Sequence, residues 1–444
     1  MKNFFTRHKS FHIGLLLLAW PMILSNISVP LLGLVDTAVI GHLSDASFLA
    51  GVALGSMVIN LLFWLAGFLR MSTTGLVAQA YGQNSQQGLM QELKGAALLA
   101  ILVATLLLLL SPFISLFMGH FLSGSDDAIG YAQTYFNIRI FSAPAALLNM
   151  VILAWMLGTQ FSKGTLIIVL VTNIANIILD VLFVVVFEWQ VEGAAFASVV
   201  ADYIGLLAAL VLLKARFTKH ALSFFALLKV PLNGMMRSLK LNRDIFIRSL
   251  FLQLCFAFMT YYGGFLGDVT LAANAVLLNF LLLVSFALDG IAYAVEAKVG
   301  QAKGRKKAQA IHLWVVIGRF WAFIFACLYS LLFMLFGSAI IGLLTDLPDV
   351  ISTAESYLIW SIILPPVASF CFLYDGVFVG LTRAKEMRNT MIFSALVGFA
   401  GVFAVSYQWG NHGLWLAMTS FMALRGLTLA KKYHDAWRFR QLLQ

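Results

Sequence analysis

The chain has 444 residues, of which 61% are hydrophobic and only 11% are charged. Soluble domains carry roughly 25% charged residues, so the composition excludes a soluble globular protein. The net charge of +10 does not indicate a nucleic-acid partner, because the basic residues lie at the ends of apolar runs, where they act as topology signals.

Six apolar segments in the first half of the chain are long enough to cross a bilayer. A hydrocarbon core of about 30 Å requires roughly 20 helical residues. The first segment continues past Pro21 to Ile40 without a small-residue cleavage site, so we expect it to be a retained helix and not a signal peptide. We predict spans at 13–41, 47–81, 92–118, 130–158, 164–187 and 193–216.

Six further apolar segments follow the longest polar stretch of the chain, Phe217–Asn242. We predict spans at 243–267, 270–299, 308–340, 350–380, 386–407 and 411–434. The predicted fold is an all-α integral membrane protein with twelve transmembrane helices in two pseudo-symmetric six-helix lobes. The predicted boundaries are 1–217 for the N-lobe, 218–242 for a cytoplasmic loop between the lobes, and 243–444 for the C-lobe.

The basic residues support this count, because they fall in alternate loops. One set of loops contains Lys163, the 214–240 stretch, the Lys298–Lys307 cluster and the C-terminal tail, all rich in Lys and Arg. The opposite loops contain neither residue type. Positive-inside bias therefore predicts that both termini are cytoplasmic. We expect a monomer surrounded by lipid.

Weak internal similarity indicates a duplicated bundle. The stretch from Val77 to Gly82 resembles that from Val295 to Gly300. Pro144, Gly158 and Lys163 recur in register as Pro366, Gly380 and Lys385. Six helices in each half make the repeat parallel, with its axis along the membrane normal. Two such lobes can rock around a central cavity.

Two carboxylates lie deep inside predicted spans. A charge at the bilayer centre costs roughly 2.5–3.5 kcal/mol on insertion scales. Asp36 in span 1 and Asp180 in span 5 both lie about 9–11 Å below the outer surface at 1.5 Å per residue. Asn176 precedes Asp180 by one turn, and Ser198 in span 6 reaches a similar depth. Together they can hold a proton or a Na⁺, since hard cations take oxygen ligands and close carboxylates titrate as a pair. The structural alternative is that these groups only link helices by hydrogen bonds.

Other polar features inside the spans are open to two interpretations. Pro21 in span 1 permits a kink, which is either a hinge or a static bend. Arg139 and Asp202 lie at the same predicted depth and are expected to neutralise each other. Asp289 and Asp375 lie toward the cytoplasmic ends of their spans. There they line the inner part of a cavity, or cap it near Arg70 and Arg383.

Sequence motifs for enzyme chemistry were not found. The chain contains no P-loop, HExxH, GxSxG or CxxC pattern, and Cys255, Cys327 and Cys371 all lie in apolar runs. We therefore expect no enzyme activity, no cofactor, no structural metal site and no ATP site, which leaves an ion gradient as the energy source. The abundant Phe, Tyr, Trp and Met residues suit flat, cationic, amphiphilic substrates through stacking and cation–π contacts.

Four stretches resemble one known family. The stretch Pro30–Leu43, PLLGLVDTAVIGHL, resembles multidrug and toxic compound extrusion (MATE) transporters, in particular their DinF-like branch. Leu69–Gln79, Asn176–Asp180 and Asp375–Arg388 are similar to that branch as well. The resemblance covers nearly the whole chain.

The resemblance implies cation-coupled efflux of drugs or toxic organic compounds by a V-shaped pair of lobes. It implies an N-lobe cation site at Asp36, Asn176 and Asp180, joined by Ser198, and bending of the first helix at Pro21. Asp375 resembles an acid of another branch, but the span Arg248–Gly267 offers no accompanying acid. The alternatives are a lipid-linked precursor flippase of the same broad superfamily and a non-transporting receptor or scaffold. Sequence leaves open whether H⁺ or Na⁺ drives transport, with H⁺ favoured.

Overall fold

The structure is a computed structural model. It describes residues 8–41, 46–122, 125–220, 222, 229, 231 and 235–443. Within the helices, the side chains of 31–32, 34–41, 46 and 235–237 are not described. In the described part of the chain, twelve helices are long and apolar enough to cross a membrane, as predicted.

The first half of the chain forms six of these helices. Helix α1 is continuous through Pro21, and α2 is interrupted at Ala66–Gly67. A 3₁₀ turn at Ile140–Ser142 joins the two parts of α4, and α5 continues as a π-helix at Val181–Val186. The bounds are α1 Lys9–Gly41, α2 Ala46–Leu65 and Phe68–Gly82, α3 Gln86–Phe121, α4 Asp126–Arg139 and Ala143–Gly158, α5 Ser162–Asp180, and α6 Gln190–Lys219.

The second half forms the other six. Helix α11 contains a π-helical segment at Ser394–Gly401, flanked by Ala384–Phe393 and Val402–Ser406. The remaining bounds are α7 Met235–Phe265, α8 Asp268–Gly304, α9 Ala308–Leu344, α10 Pro348–Gly380 and α12 Asn411–Arg438.

The helices extend beyond several predicted ends. Helix α6 reaches Lys219 and α7 begins at Met235, so both helices extend into the predicted 218–242 loop. The prediction ended each helix where apolar residues stop. Basic residues in the last turn of a helix interact favourably with the negative end of the helix dipole. They therefore stabilise helical turns beyond the hydrocarbon region.

The chain divides into two compact units that differ from the predicted lobes at the N-terminus. Unit 1 comprises Met1–Ile23 and Arg237–Gln444, and unit 2 comprises Leu24–Met236. The first part of α1 therefore groups with the C-terminal helices and not with the predicted 1–217 lobe. The Phe11 ring lies 4.5 Å from the Trp314 ring. A β-carbon on Gly290 would clash with Ile23, so this glycine allows α1 and α8 to approach closely.

Each unit is organised around one central helix. In unit 2, α4 packs against α2, α3, α5 and α6. In unit 1, α10 packs against α8, α9 and α12. In each of the two central helices, 67% of the residues in the apolar membrane-spanning stretch are buried, the highest share among the twelve helices. Since α4 and α10 carry the in-register prolines Pro144 and Pro366, the two units have the same helix at their centre in terms of the repeat.

Candidate cation site

The clearest buried acid in unit 2 is Asp180, at the last residue of the α-helical part of α5. Its side chain is only 2% exposed. Asn176, one turn earlier and 5% exposed, donates from Nδ2 to Asp180 Oδ2 at 2.7 Å. The helix widens into a π-helix at the next residue. π-Helical segments are rare and frequently lie at functional sites.

Two other predicted members of the site lie on neighbouring helices. Ser198 is buried on α6, which packs against α5. Asp36 lies within α1, but its side chain is outside the described part of the chain. The structure thus brings Asn176 and Asp180 together directly, while the contribution of Asp36 stays a prediction.

A contact between α1 and α5 fixes the level of Asp36 along the membrane normal. Asn173 Nδ2 donates to the backbone oxygen of Ser28 at 3.3 Å and to its Oγ at 3.1 Å. Consecutive spans alternate in direction, so α1 and α5 run in the same direction. At 1.5 Å per residue, Asp36 lies about 12 Å beyond Ser28, and Asp180 lies about 10 Å beyond Asn173. The two acids therefore occupy nearly the same depth.

Pro21 is buried inside the continuous helix α1. A proline has no N–H to donate to the carbonyl four residues earlier. The boundary between the two compact units falls between Ile23 and Leu24, two residues after Pro21. A missing helix hydrogen bond therefore lies next to the change of unit.

The predicted pairing of Arg139 with Asp202 is present. Arg139 Nη1 lies 2.7 Å from Asp202 Oδ2. Arg139 also donates to the Ser142 hydroxyl and lies over the Phe63 ring at 5.7 Å. This ion pair joins α4 to α6, and each charge is neutralised by its partner.

The structure gives Asp375 different partners from those the sequence suggested. Arg425 Nη2 donates to Asp375 Oδ2 at 2.6 Å, and Arg248 Nη2 donates to the same oxygen. Arg383 pairs with Glu386 at 3.3 Å. Sequence did not indicate Arg248 and Arg425 as partners, because the rotation of α7 and α12 about their axes decides which arginines face α10.

Asp289, the other acid predicted in the second half, lies half-buried on α8. Helix α8 packs against α10, the helix that carries Asp375, within unit 1.

The second half lacks a copy of the Asn176–Asp180 pair. The offset that aligns Lys163 with Lys385 aligns Asn176 with Gly398 and Asp180 with Val402. Neither residue supplies a side-chain oxygen. The two halves therefore differ chemically at this position.

Several polar residues of unit 2 were not predicted as site members. Asn149 is 7% exposed and donates from Nδ2 to the Asp202 carbonyl at 3.2 Å. Thr172 Oγ1 donates to the Ile168 carbonyl at 2.9 Å. Thr172, Asn176 and Asp180 repeat at four-residue intervals, and that spacing was available in the sequence.

The described residues contain no group of three or more His, Cys, Asp or Glu side chains that could hold a metal ion. Asp180 and Asn176 supply oxygens of carboxylate and amide type. Such oxygens suit a proton or a hard monovalent cation.

Comparison of the sequence with known proteins gives matches over nearly the whole chain. The MatE family model matches residues 21–182 and 245–403. The DNA damage-inducible protein F of Escherichia coli (strain K12) is 47% identical over 423 residues, covering 95% of this chain and 92% of that protein. A probable multidrug resistance protein NorM of Bacillus cereus is 24% identical over 438 residues, covering 94% of this chain and 95% of that protein.

Solved structures show the same fold. An outward-facing multidrug resistance MATE family transporter of the MOP superfamily aligns with a TM-score of 0.87 at 18% identity, covering 96% of this chain and 97% of the other. A mutant of the Vibrio cholerae MATE transporter VcmN aligns with a TM-score of 0.87 at 19% identity over 99% of both chains. At these identities the likeness concerns the fold.

Proposed function

Because this chain belongs to the MATE family, we propose that it is a cation-coupled antiporter. In this proposal it exports amphiphilic, often cationic organic compounds across the bacterial inner membrane by alternating access. Proton entry drives export, with Na⁺ as the alternative coupling ion.

The buried Asn176–Asp180 pair carries the proposal. An ionised carboxylate costs free energy in an apolar interior, and a bound proton or Na⁺ offsets that cost. A cationic substrate offsets the same cost. The coupling cation and the substrate therefore compete for one negative charge. Such differential binding is what can bias two conformations of a transporter.

Asp36 and Asp180 are proposed to share the coupling cation. Their common depth, set by the Asn173–Ser28 contact, supports this. Both lie in the outer half of the membrane, where periplasmic protons reach them if the termini are cytoplasmic. Each inward proton also draws on the membrane potential, worth about 2.3 kcal/mol per charge per 100 mV.

The conformational response is assigned to α1. Its two parts belong to different compact units, and Pro21 lies two residues before the boundary. Occupancy of the acids in the outer part of α1 and α5 would change the helix on one side of that point. Asp375 is given no coupling role, because two arginines share its Oδ2.

The test is transport by the purified full-length chain in liposomes. Ethidium flux is measured with a proton gradient in Na⁺-free buffer, and separately with a Na⁺ gradient at equal pH on both sides. Flux with the proton gradient alone supports proton coupling. Flux only with the Na⁺ gradient reassigns the same oxygens to Na⁺, and no flux with either gradient overturns the proposal.

A further inference from the structure

A glycine notch lies deeper in unit 2 than Asp180. A β-carbon on Gly205 of α6 would overlap Thr172 Oγ1 of α5 and lie 3.3 Å from Asn149 Nδ2 of α4. Three helices therefore bring a hydroxyl, an amide and a bare backbone position to one point. Thr172 precedes Asp180 by eight residues, so this point lies about 12 Å further inward.

The two polar side chains at the notch, Asn149 and Thr172, each carry an oxygen that can accept a further hydrogen bond. Asn149 is 93% buried, and its Oδ1 has no hydrogen-bond partner among the residues the structure describes. Thr172 uses its hydrogen on the Ile168 carbonyl, so its oxygen can only accept a further bond. Leaving a buried acceptor unpaired costs roughly 1–3 kcal/mol. A hydrogen-bond donor or a cation would satisfy both oxygens.

The notch lies on a polar path along α5. Asn176 lies between Thr172 and Asp180, one turn from each, so the three side chains are successive neighbours on the helix surface. Seven residues further inward, Thr165 is buried, and its Oγ1 has no partner in the described part of the chain. Thr165 is close to the start of α5 at Ser162. The polar groups thus continue from the outer acid toward the cytoplasmic end.

The charges beside the notch do not repel a cation. Asp202 neutralises Arg139 at 2.7 Å, and Asn149 is tied to the Asp202 backbone. The Asp202 backbone carbonyl therefore holds the Asn149 amide through Nδ2, with Oδ1 left as its unused acceptor.

We propose that Asn149, Thr172 and Gly205 form a second station for the coupling cation, through which it leaves Asp180 toward the cytoplasm. The station takes Na⁺ directly, or a proton carried by a water molecule, since a neutral amide does not hold a proton itself. This inference rests on the proposed function. Without the station, the first cation site would still bind the coupling cation from outside, but release of that cation toward the cytoplasm would fail.

The experiment separates release from binding. Asn149→Leu removes the acceptor, and Gly205→Ala fills the notch. Gradient-driven ethidium flux in liposomes is expected to fall at least about tenfold in both. Competition between the coupling cation and ethidium, measured by ethidium fluorescence on purified protein, is expected to stay within about twofold of wild type. Asn279→Leu, an exposed membrane-span amide in unit 1, is the matched control.

Asn149→Asp distinguishes a cation station from a structural role. It keeps the acceptor oxygens and adds negative charge, so driven flux is expected to survive and to need a lower cation concentration. A purely structural role predicts loss in both Asn149 variants. Melting temperature and gel filtration monitor folding. If Gly205→Ala does not fold, the two Asn149 variants decide the outcome.

Proton and Na⁺ gradients applied separately identify which cation uses the station. Driven flux that survives both Asn149→Leu and Gly205→Ala overturns the station alone. Loss of cation–ethidium competition in Asn149→Leu also overturns it, because Asn149 would then belong to the first site. Absence of driven flux in wild type overturns the coupling itself, and this inference with it.

Discussion

Arg425 donates to Asp375 at 2.6 Å inside unit 1, where both side chains are nearly fully buried. Arg248 donates to the same carboxylate oxygen. A buried carboxylate shared by two guanidinium groups is held in place by both, and three helices, α7, α10 and α12, meet at it. This arrangement stabilises the packing of unit 1.

Asp375→Asn is therefore expected to destabilise the protein. Removing one partner of a buried ion pair typically costs 3–5 kcal/mol, because the remaining charge is left uncompensated. Thermal unfolding in detergent, followed by loss of monodisperse protein, measures the effect. The triple variant Arg248→Met, Asp375→Leu, Arg425→Met removes all three charges and should recover much of the loss. An unchanged melting temperature in Asp375→Asn would show that the cluster contributes little.

Asp180→Asn tests the coupling site. Asn keeps the size of the side chain and can still bond to Asn176, so folding should be near normal. The titratable charge is lost, and gradient-driven ethidium flux should fall at least about tenfold. Asp36→Asn is expected to do the same. Expression level and gel-filtration profile serve as controls, and robust driven flux in either variant would remove that acid from the coupling role.

Sequence could predict the spans and contacts within one helix, but not contacts between distant helices. Runs of apolar residues suffice to locate all twelve spans, because hydrophobic length decides whether a helix crosses a membrane. The adjacency of Asn176 and Asp180 also follows from their spacing in one helix. The Arg248–Asp375–Arg425 cluster does not, since it depends on how three distant helices are rotated. The grouping of Phe11 and Ile23 with the C-terminal helices likewise depends on packing and leaves no local pattern.

Membrane orientation is tested with single cysteines. Glu188→Cys is expected to react with an impermeant maleimide added to whole cells with a permeable outer membrane, and Lys306→Cys only after cell lysis. Cys255 and Cys371 are buried, and Cys327 is replaced by Ser because its side chain is exposed. The reverse labelling pattern would invert the assignment of both termini and of the outer-facing acids.

A reciprocal amide pair stabilises unit 1 between α8 and α12. Asn274 and Asn411 donate to each other at 2.8 and 2.9 Å, and Trp415 Nε1 donates to Asn274 Oδ1 at 2.8 Å. Asn274→Leu would leave buried groups of both partners unpaired, at about 1–3 kcal/mol per group. The melting temperature should fall clearly, whereas the exposed amide variant Asn279→Leu should change it little. Equal effects of the two substitutions would argue against the pair.

His220, just beyond the end of α6, gives unit 2 a pH-dependent stability. Its Nε2 is buried and has no partner among the described residues. Burial, reinforced by the positive charges of Arg216 and Lys219, lowers the pKa of the His220 imidazole below its usual value of 6.5.

The unfolded chain therefore takes up this proton more readily than the folded one. The stability that neutral His220 allows is complete above about pH 6.5 and is lost as the pH falls toward the lowered folded-state pKa. The melting temperature of wild type should drop between about pH 8 and about pH 5.5 by more than that of His220→Gln. His120→Gln, which changes an exposed histidine of α3, should keep the wild-type dependence. If wild type and His220→Gln lose stability equally on acidification, protonation of His220 is not a cause of the loss.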